Sequence, residues 1–558
     1  MTNLADTPII KAMTSENVGF VDDLAVDSMK MVTVEGHPVV LTRTTEGIHA
    51  LDNACPHQGY GLATGSLAVG PDGKPAVTCQ WHNWKFRVCD GVCTIGEEDV
   101  ATHDVEVADD GAITVTVVAP TTAERQARLW PSLRRGIERD YAGQISRDAL
   151  RLRDTGVADA EIMWAGVEPG MAQNEWGPGH NLAMAADCLH LAEVLPPDEG
   201  ALALVQGLAG LSETGHGHQP RPLPAANPSV DFAAAMEAED YQAAMAWTVA
   251  TTAPGDVEID LTEVRHRFIE AVASHHTSLG HGAIYTQKAF ELLERVGAQR
   301  ASAVLPHLAV TISGDTREDT LPYMAKTMRA LAMVDVDALA NADDRSTTGW
   351  QPEALANELL ESSITPIEVA SRAVLDGAGI EGLLDAVSLA VSQRLLRYDL
   401  APEADAAANF GWLDITHGLT YARAARWAWQ ADPGPHTARL ALFTAWLAHD
   451  TGRYERRAGV RPPPEPCGAV AAALSDPAEE VGERLARQAL DDRAGSFIVA
   501  AHLVKTVQAA RQEAATIGSP LPLAAAARFV NAPRRERFVA RNVAESLDFI
   551  RSGRPPRR

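Results

Sequence analysis

Hydrophobic and polar positions follow two different rhythms along this chain. Over residues 31–51, MVTVEGHPVVLTRTTEGIHAL, short β-branched runs are broken at Glu35-Gly36 and Glu46-Gly47. Over residues 105–118, VEVADDGAITVTVV, Val and Ile alternate with polar residues on both sides of Asp-Asp-Gly, the pattern of a hairpin. From about residue 119 the apolar positions recur every three or four residues. The segments 283–298 (AIYTQKAFELLERVGA) and 381–400 (EGLLDAVSLAVSQRLLRYDL) are examples, and they predict amphipathic helices. Proline-rich breaks at 218–229 and 461–468 predict loops. The expected architecture is multidomain: a small all-β domain at 1–118, then a large, mainly α-helical domain at 119–558.

Composition narrows the function. The 558 residues are 46% hydrophobic and 22% charged, a globular mixture, with a net charge of −26. Nucleic acid and anionic membranes are recognised by basic faces, so neither is an expected partner. The arginines at 551, 554, 557 and 558 are the exception, and are expected to form a solvated tail. No apolar run reaches the roughly 20 residues needed to span a bilayer, and residues 1–20 lack the pattern of a secretory signal. Six cysteines in this length do not form a disulfide framework, so a reducing cytoplasm is the expected location.

Within the β region, Cys55-Pro56-His57-Gln58-Gly59 and Cys79-Gln80-Trp81-His82 each offer one thiolate and one imidazole, with 21 residues between His57 and Cys79. Two thiolates and two imidazoles could hold zinc, but zinc sites more often use close C-x-x-C or H-x-H pairs without an aromatic flank. The same four side chains suit a [2Fe–2S] cluster with two thiolates on one iron and two imidazoles on the other, and the imidazoles raise its potential. Both loops closely resemble the Rieske ferredoxin family, as do Gly59 and the His-x-Trp-x-Phe run His82, Trp84, Phe86. Two departures from that family, a slightly longer gap and Asn83 where Gly is common, touch no ligand. The resemblance implies that Cys55 and Cys79 hold the inner iron, and that His57 and His82 hold the outer iron near the surface. No extra cysteine lies in either loop, which implies the lower-potential, oxygenase or ferredoxin type. Cys89 and Cys93 read as structural.

A Rieske cluster moves single electrons, so a second centre is expected in the helical region. Mononuclear non-haem Fe(II) needs His and carboxylate ligands with open positions. Asp187-x-x-His190 matches half of the motif of ring-hydroxylating oxygenases, but position 195 is Leu and the surroundings read as a plain helix. A better resemblance, discontinuous over about 175–515, is to the questin oxidase family, helical iron-dependent oxygenases that open aromatic polyketide rings. It rests on His275-His276-Thr277-Ser278-Leu279-Gly280-His281-Gly282, on Thr416-His417-Gly418-Leu419-Thr420-Tyr421, and on His502-Leu503-Val504-Lys505. The counterparts of that family's early paired-His segment are His180 and His190. His502 and Lys505 share one helix face, as do His417 and Tyr421. The expected second site is therefore His276, His281, His417 and His502, with Lys505 neutral or carbamylated, because burial disfavours its charge.

The combined expectation is an oxygenase. An external NAD(P)H-dependent reductase or ferredoxin loads the cluster, and iron with O2 oxidises a small organic substrate, aromatic or polyketide-like. By analogy with Rieske oxygenases, a homo-oligomer is expected. One rival is an electron-transfer ferredoxin fused to a helical interaction domain. The other, a di-iron enzyme, lacks the Glu-x-x-His pairs it would need.

Overall fold

The computed structural model describes residues 13–118, 120–253, 260–342, 350–361, 365–405, 408, 410–453, 468–492, 494–536 and 538–553. The proline-rich 218–229 is loop and turn, as expected, whereas 461–467 lies outside the described residues. So do Arg554, Arg557 and Arg558, while Arg551, expected in a solvated tail, is exposed in the last turn of the helix Val539–Ser552. No helix among the described residues is long and apolar enough to cross a membrane.

The chain forms two compact units. The first comprises Met1–Leu133 with Ser146–Gly156, so it includes more than the strands. Strands β1 (Met13–Phe20), β2 (Ser28–Val34), β3 (His37–Thr44), β4 (Gly47–Asp52), β9 (Thr102–Val107) and β10 (Ala112–Val118) form an antiparallel sheet in the order β1-β10-β9-β4-β3-β2. A second antiparallel sheet runs β5 (Ser66–Val69), β6 (Pro75–Thr78), β7 (Lys85–Arg87), β8 (Cys93–Ile95). The β2–β3 turn places Glu35 and Gly36 at φ 47° and 85°, which matches the twist of a two-residue hairpin. Alternation along β3 builds two cores. Val39 and Leu41 join Val34, Ile113 and Val115, whereas Val40 faces Leu62, Val77, Phe86 and the two cysteines Cys55 and Cys79. The same unit takes in most of helix α1 (Thr122–Glu138) and helix α2 (Ala142–Asp154).

The second unit, Arg134–Ile145 with Val157–Arg558, is helical. Four of its helices form a closed square in which each packs on two others: His180–Val194, His281–Val296, Trp412–Ala431 and Phe497–Ile517. The helix Gly379–Arg397 braces the square through Arg426. This fully buried guanidinium reaches Glu513 on the His502 helix (2.9 Å) and Glu381 (2.7 Å) and Asp385 (2.9 Å) on the bracing helix. Ser388 donates to Glu513 at 2.6 Å.

Removing one member of such a buried network leaves charge without a partner. Arg426→Ala is expected to destabilise the helical unit by about 3–5 kcal/mol in urea unfolding followed by circular dichroism. Glu513→Gln keeps two carboxylates on Arg426 and is expected to cost less.

Candidate metal centres

The first centre lies at the tips of two loops in the first unit. The Cys55 loop closes through Gly59 N–H donating to Cys55 O (2.7 Å) and Cys55 N–H donating to Tyr60 O (2.8 Å), with Gly59 at φ 77°. In the second loop, Cys79 N–H donates to Trp84 O (2.8 Å), and His82 and Asn83 sit at φ 62° and 61°. That left-handed geometry explains why glycine is common at position 83 and why Asn serves there. Cys55 and Cys79 are buried and hydrogen-bonded to each other, and burial pushes the Cys55 thiol up to about 12. The His57 and His82 rings lie 4.5 Å apart, edge to face. Two buried thiols side by side and two adjoining imidazoles match the donor set of a [2Fe–2S] cluster.

The two imidazoles are not equivalent. His82 is exposed, beside Trp81 and Tyr60, which stack at 4.7 Å and are also exposed. His57 is only 8% exposed: Trp84 stacks on it at 4.7 Å, and Arg147 of α2 donates to its carbonyl. The expectation that both ligands lie near the surface therefore holds for His82 alone. Cys89 and Cys93 are free, and Cys93 donates to Ile95 O (3.3 Å).

The second centre lies inside the helical square. His281 Nε2 is 2.7 Å from His417 Nε2, His502 Nε2 is 3.2 Å from it, and Lys505 Nζ is 3.4 Å from it. The His180 ring joins them, 4.9 Å from that of His281 and 4.7 Å from that of His502. His180 and His281 open their helices, and His417 and His502 lie in the second turn of theirs. The protons can be placed. His417 Nδ1 donates to Leu413 O (2.5 Å) and His502 Nδ1 to Ile498 O (2.6 Å), so both Nε2 lone pairs point inward at each other. His180 Nδ1 faces Tyr285 Oη at 2.7 Å, and its Nε2 is buried without a hydrogen-bond partner.

Facing lone pairs repel unless a cation lies between them, and second bonds from Nδ1 to carbonyls are how metal-binding histidines are held. Burial and the Lys505 charge hold His180, His417 and His502 well below the ordinary imidazole range, and burial first among causes brings His281 to about 3. Burial also brings Lys505 down to about 7. Among the described residues no carboxylate is hydrogen-bonded to this set, although Asp187 acts electrostatically on Lys505. In the sets His37–Asp52–His103 and His266–Asp432–His436, by contrast, one carboxylate oxygen faces both imidazoles, so hydrogen bonding alone can satisfy them.

Of the residues singled out from sequence, His281, His417, His502 and Lys505 come together, and His276 does not. Three consecutive positive φ values, Ser278 36°, Leu279 60° and Gly280 89°, turn the chain between His276 and His281. His276 is fully buried instead among Tyr421, Phe443 and Trp446, with Nε2 3.3 Å from Glu318. The place expected for it is taken by His180. His190 lies two to three turns further along the same helix and faces Arg295 at 2.6 Å. Trp427 stacks on Phe290 at 5.9 Å, a packing role.

Residues 15–105 match the Rieske [2Fe-2S] domain family, so the chain carries a Rieske domain toward its N-terminus, a domain type that implies a [2Fe–2S] cluster. The match covers the two loops and the strands from β1 into β9, and leaves β10 outside. A 63-residue stretch is 40% identical to the cholesterol 7-desaturase nvd of Xenopus laevis, covering 11% of this chain and 13% of that protein. An 87-residue stretch is 30% identical to a Rieske domain-containing protein of Homo sapiens, covering 16% and 55%. The chain thus spans little more than half of one of these relatives and a small part of the other. Among solved structures, the ferredoxin of carbazole 1,9a-dioxygenase from Nocardioides aromaticivorans is 25% identical, with TM-score 0.17, over 19% of this chain and 99% of that chain. A 2-oxoquinoline 8-monooxygenase component is 25% identical, with TM-score 0.17, over 19% and 26%.

In the metal-free protein the lysine is a liability. With a folded value of about 7 and an ordinary value of 10.5, the unfolded chain holds more protons between those limits, so stability contributed at Lys505 rises with pH across that window. Below the window the cost is constant, on the order of 5 kcal/mol. Lys505→Met is expected to raise the stability of metal-free protein at neutral pH and to flatten its rise toward alkaline pH, as read by thermal unfolding.

Proposed function

We propose that this protein is a Rieske-type non-haem iron oxygenase whose second centre is held by His180, His281, His417 and His502. The observation that carries this reading is the inward convergence of imidazole Nε2 atoms, two of them fixed as bare acceptors by Nδ1 bonds to Leu413 and Ile498. The carboxylate expected for an iron site is not in this set among the described residues; imidazoles alone suit iron, zinc or copper, and an electron-supplying domain in the same chain favours a redox metal. When bound, the cluster supplies single electrons drawn from an external NAD(P)H-dependent reductase or ferredoxin, and iron at the histidine centre supplies binding and activation of O2.

The chain's own residues hold and shield these groups. Exposed His82, with Trp81 and Tyr60 beside it, is the face open to the electron donor. In the helical unit, Tyr285 fixes the His180 ring and stacks on His281 at 5.1 Å. Lys505, only 1% exposed, is neutral at mildly alkaline pH and sits against His417. A neutral amine is the form that adds CO2, losing one proton to give a carbamate, and that would bring an anionic oxygen to a set of neutral imidazoles. The buried Arg426 network holds the His417 and His502 helices in register. The resemblance of the His281, His417 and His502 segments to questin oxidases favours an aromatic, polyketide-like substrate. A reducing cytoplasm is consistent with Cys89, Cys93 and Cys188 being unbridged, and a homo-oligomer is proposed by analogy with Rieske oxygenases.

The test is O2 uptake with a reductase and a panel of aromatic polyketide-like substrates. His417→Ala is expected to abolish substrate-dependent uptake while the visible and EPR spectra of the cluster stay as in wild type. Uptake that persists in His417→Ala would remove the histidine centre from the reaction. Reduction of the cluster without any O2 uptake by wild type would favour a fused ferredoxin.

A further inference from the structure

The Rieske family match ends at residue 105, yet the cluster loop is not left to the strands alone. Helix α2, about 40 residues further on, lays two arginines on it. Arg147 Nη1 donates to His57 O at 3.0 Å, and Arg151 Nη1 donates to Pro56 O at 3.2 Å. Arg147 is held rigidly for this. Its Nε and Nη2 donate to the fully buried Asp148 carboxylate (2.6 and 2.9 Å), Nη2 also reaches Ser132 Oγ (3.0 Å), and its side chain is only 10% exposed. Glu98 completes the group, 3.5 Å from Arg147, with that same Oε2 buried and lacking a hydrogen bond.

We infer that α2 is an electrostatic regulator of the cluster, in which Arg147 and Arg151 raise its reduction potential through the Pro56–His57 backbone and Glu98 opposes them. The inference rests on the cluster reading of Cys55, His57, Cys79 and His82. Reduction adds one electron, hence one negative charge, to the cluster. A guanidinium fixed on the backbone of a ligand residue stabilises that added charge, and a carboxylate beside it does the reverse. Arg147 and Glu98 act strongly because their side chains are only 10% and 15% exposed, whereas Arg151, 35% exposed, is more screened. Arg147 and Arg151 are positioning residues, since they touch the loop and not the cluster. The two signs separate this role from a purely structural one. Loss of loop support would follow removal of either partner, whereas an electrostatic role requires opposite shifts.

The experiment is a redox titration of the cluster in the full-length protein, followed by EPR, with iron and labile sulfide counted in each variant. It is done at mildly alkaline pH, so that Glu98, raised by burial, is ionised. Arg147→Gln is expected to lower the ratio of reduced to oxidised cluster at a fixed donor potential about tenfold, which is about 59 mV for a one-electron couple. Arg147→Lys is expected to recover part of that shift, Arg151→Gln to move the same way as Arg147→Gln, and Glu98→Gln to move the opposite way. Should Arg147→Gln fail to load its cluster, Arg151→Gln and Glu98→Gln decide the matter. Unmoved potentials, or shifts of one sign for the arginine and glutamate variants, would overturn the inference while leaving the cluster in place. Absence of a Rieske signal in wild type would overturn the cluster reading and the inference with it.

Discussion

Four imidazoles and a lysine amine are packed against one another in the interior of the helical unit, with no carboxylate hydrogen-bonded to them among the described residues. This arrangement is unfavourable by itself: burial opposes protonation of every member, and the Nε2 lone pairs of His417 and His502 face each other at 3.2 Å. Much of the unit's construction acts to maintain it. Four helices supply one donor position each near their N-terminal ends, where the helix dipole also disfavours a charged imidazole. The buried Arg426–Glu513 pair ties two of those helices together. Structure that holds repelling groups together at such cost is a common mark of a site for chemistry.

The Rieske unit follows a different logic. There the donors sit on loop tips, and the strained or left-handed positions at Gly59, His82 and Asn83 set where they point. The two cysteines belong to the hydrophobic core between the sheets, while one histidine faces solvent and the other is covered. A cluster held this way has one open side, at His82, and one side whose electrostatics the chain controls through Arg147 and its neighbours.

How much of this the sequence discloses depends on the range of the interaction. The cluster ligands are legible because each pair is local: C-x-H and C-x-x-H fix two donors on one loop. Helical spacing likewise puts His502 and Lys505 on one face. The boundary between β and helical regions is visible as a change of period, but the membership of α2 in the first unit is not, since nothing in its amphipathic pattern says which surface it covers. His276 and His281 look equivalent as letters. They are separated by the backbone turn at Ser278–Gly280, where a serine and a leucine adopt φ values that their side chains disfavour, so spacing alone could not rank them. His180 is a donor from a distant helix, and only the packing of the square brings it in. The available signal was its position at the helix start following Gly177-Pro178-Gly179.

The central claim is that one chain holds two distinct iron sites. The most direct measurement is iron and acid-labile sulfide per chain after anaerobic Fe(II) loading, with Mössbauer spectra of the dithionite-reduced protein. The account predicts about three irons and two sulfides, with the third iron as a separate mononuclear high-spin Fe(II) signal beside the Rieske cluster. Two irons and two sulfides, with every iron in the cluster spectrum, would contradict it.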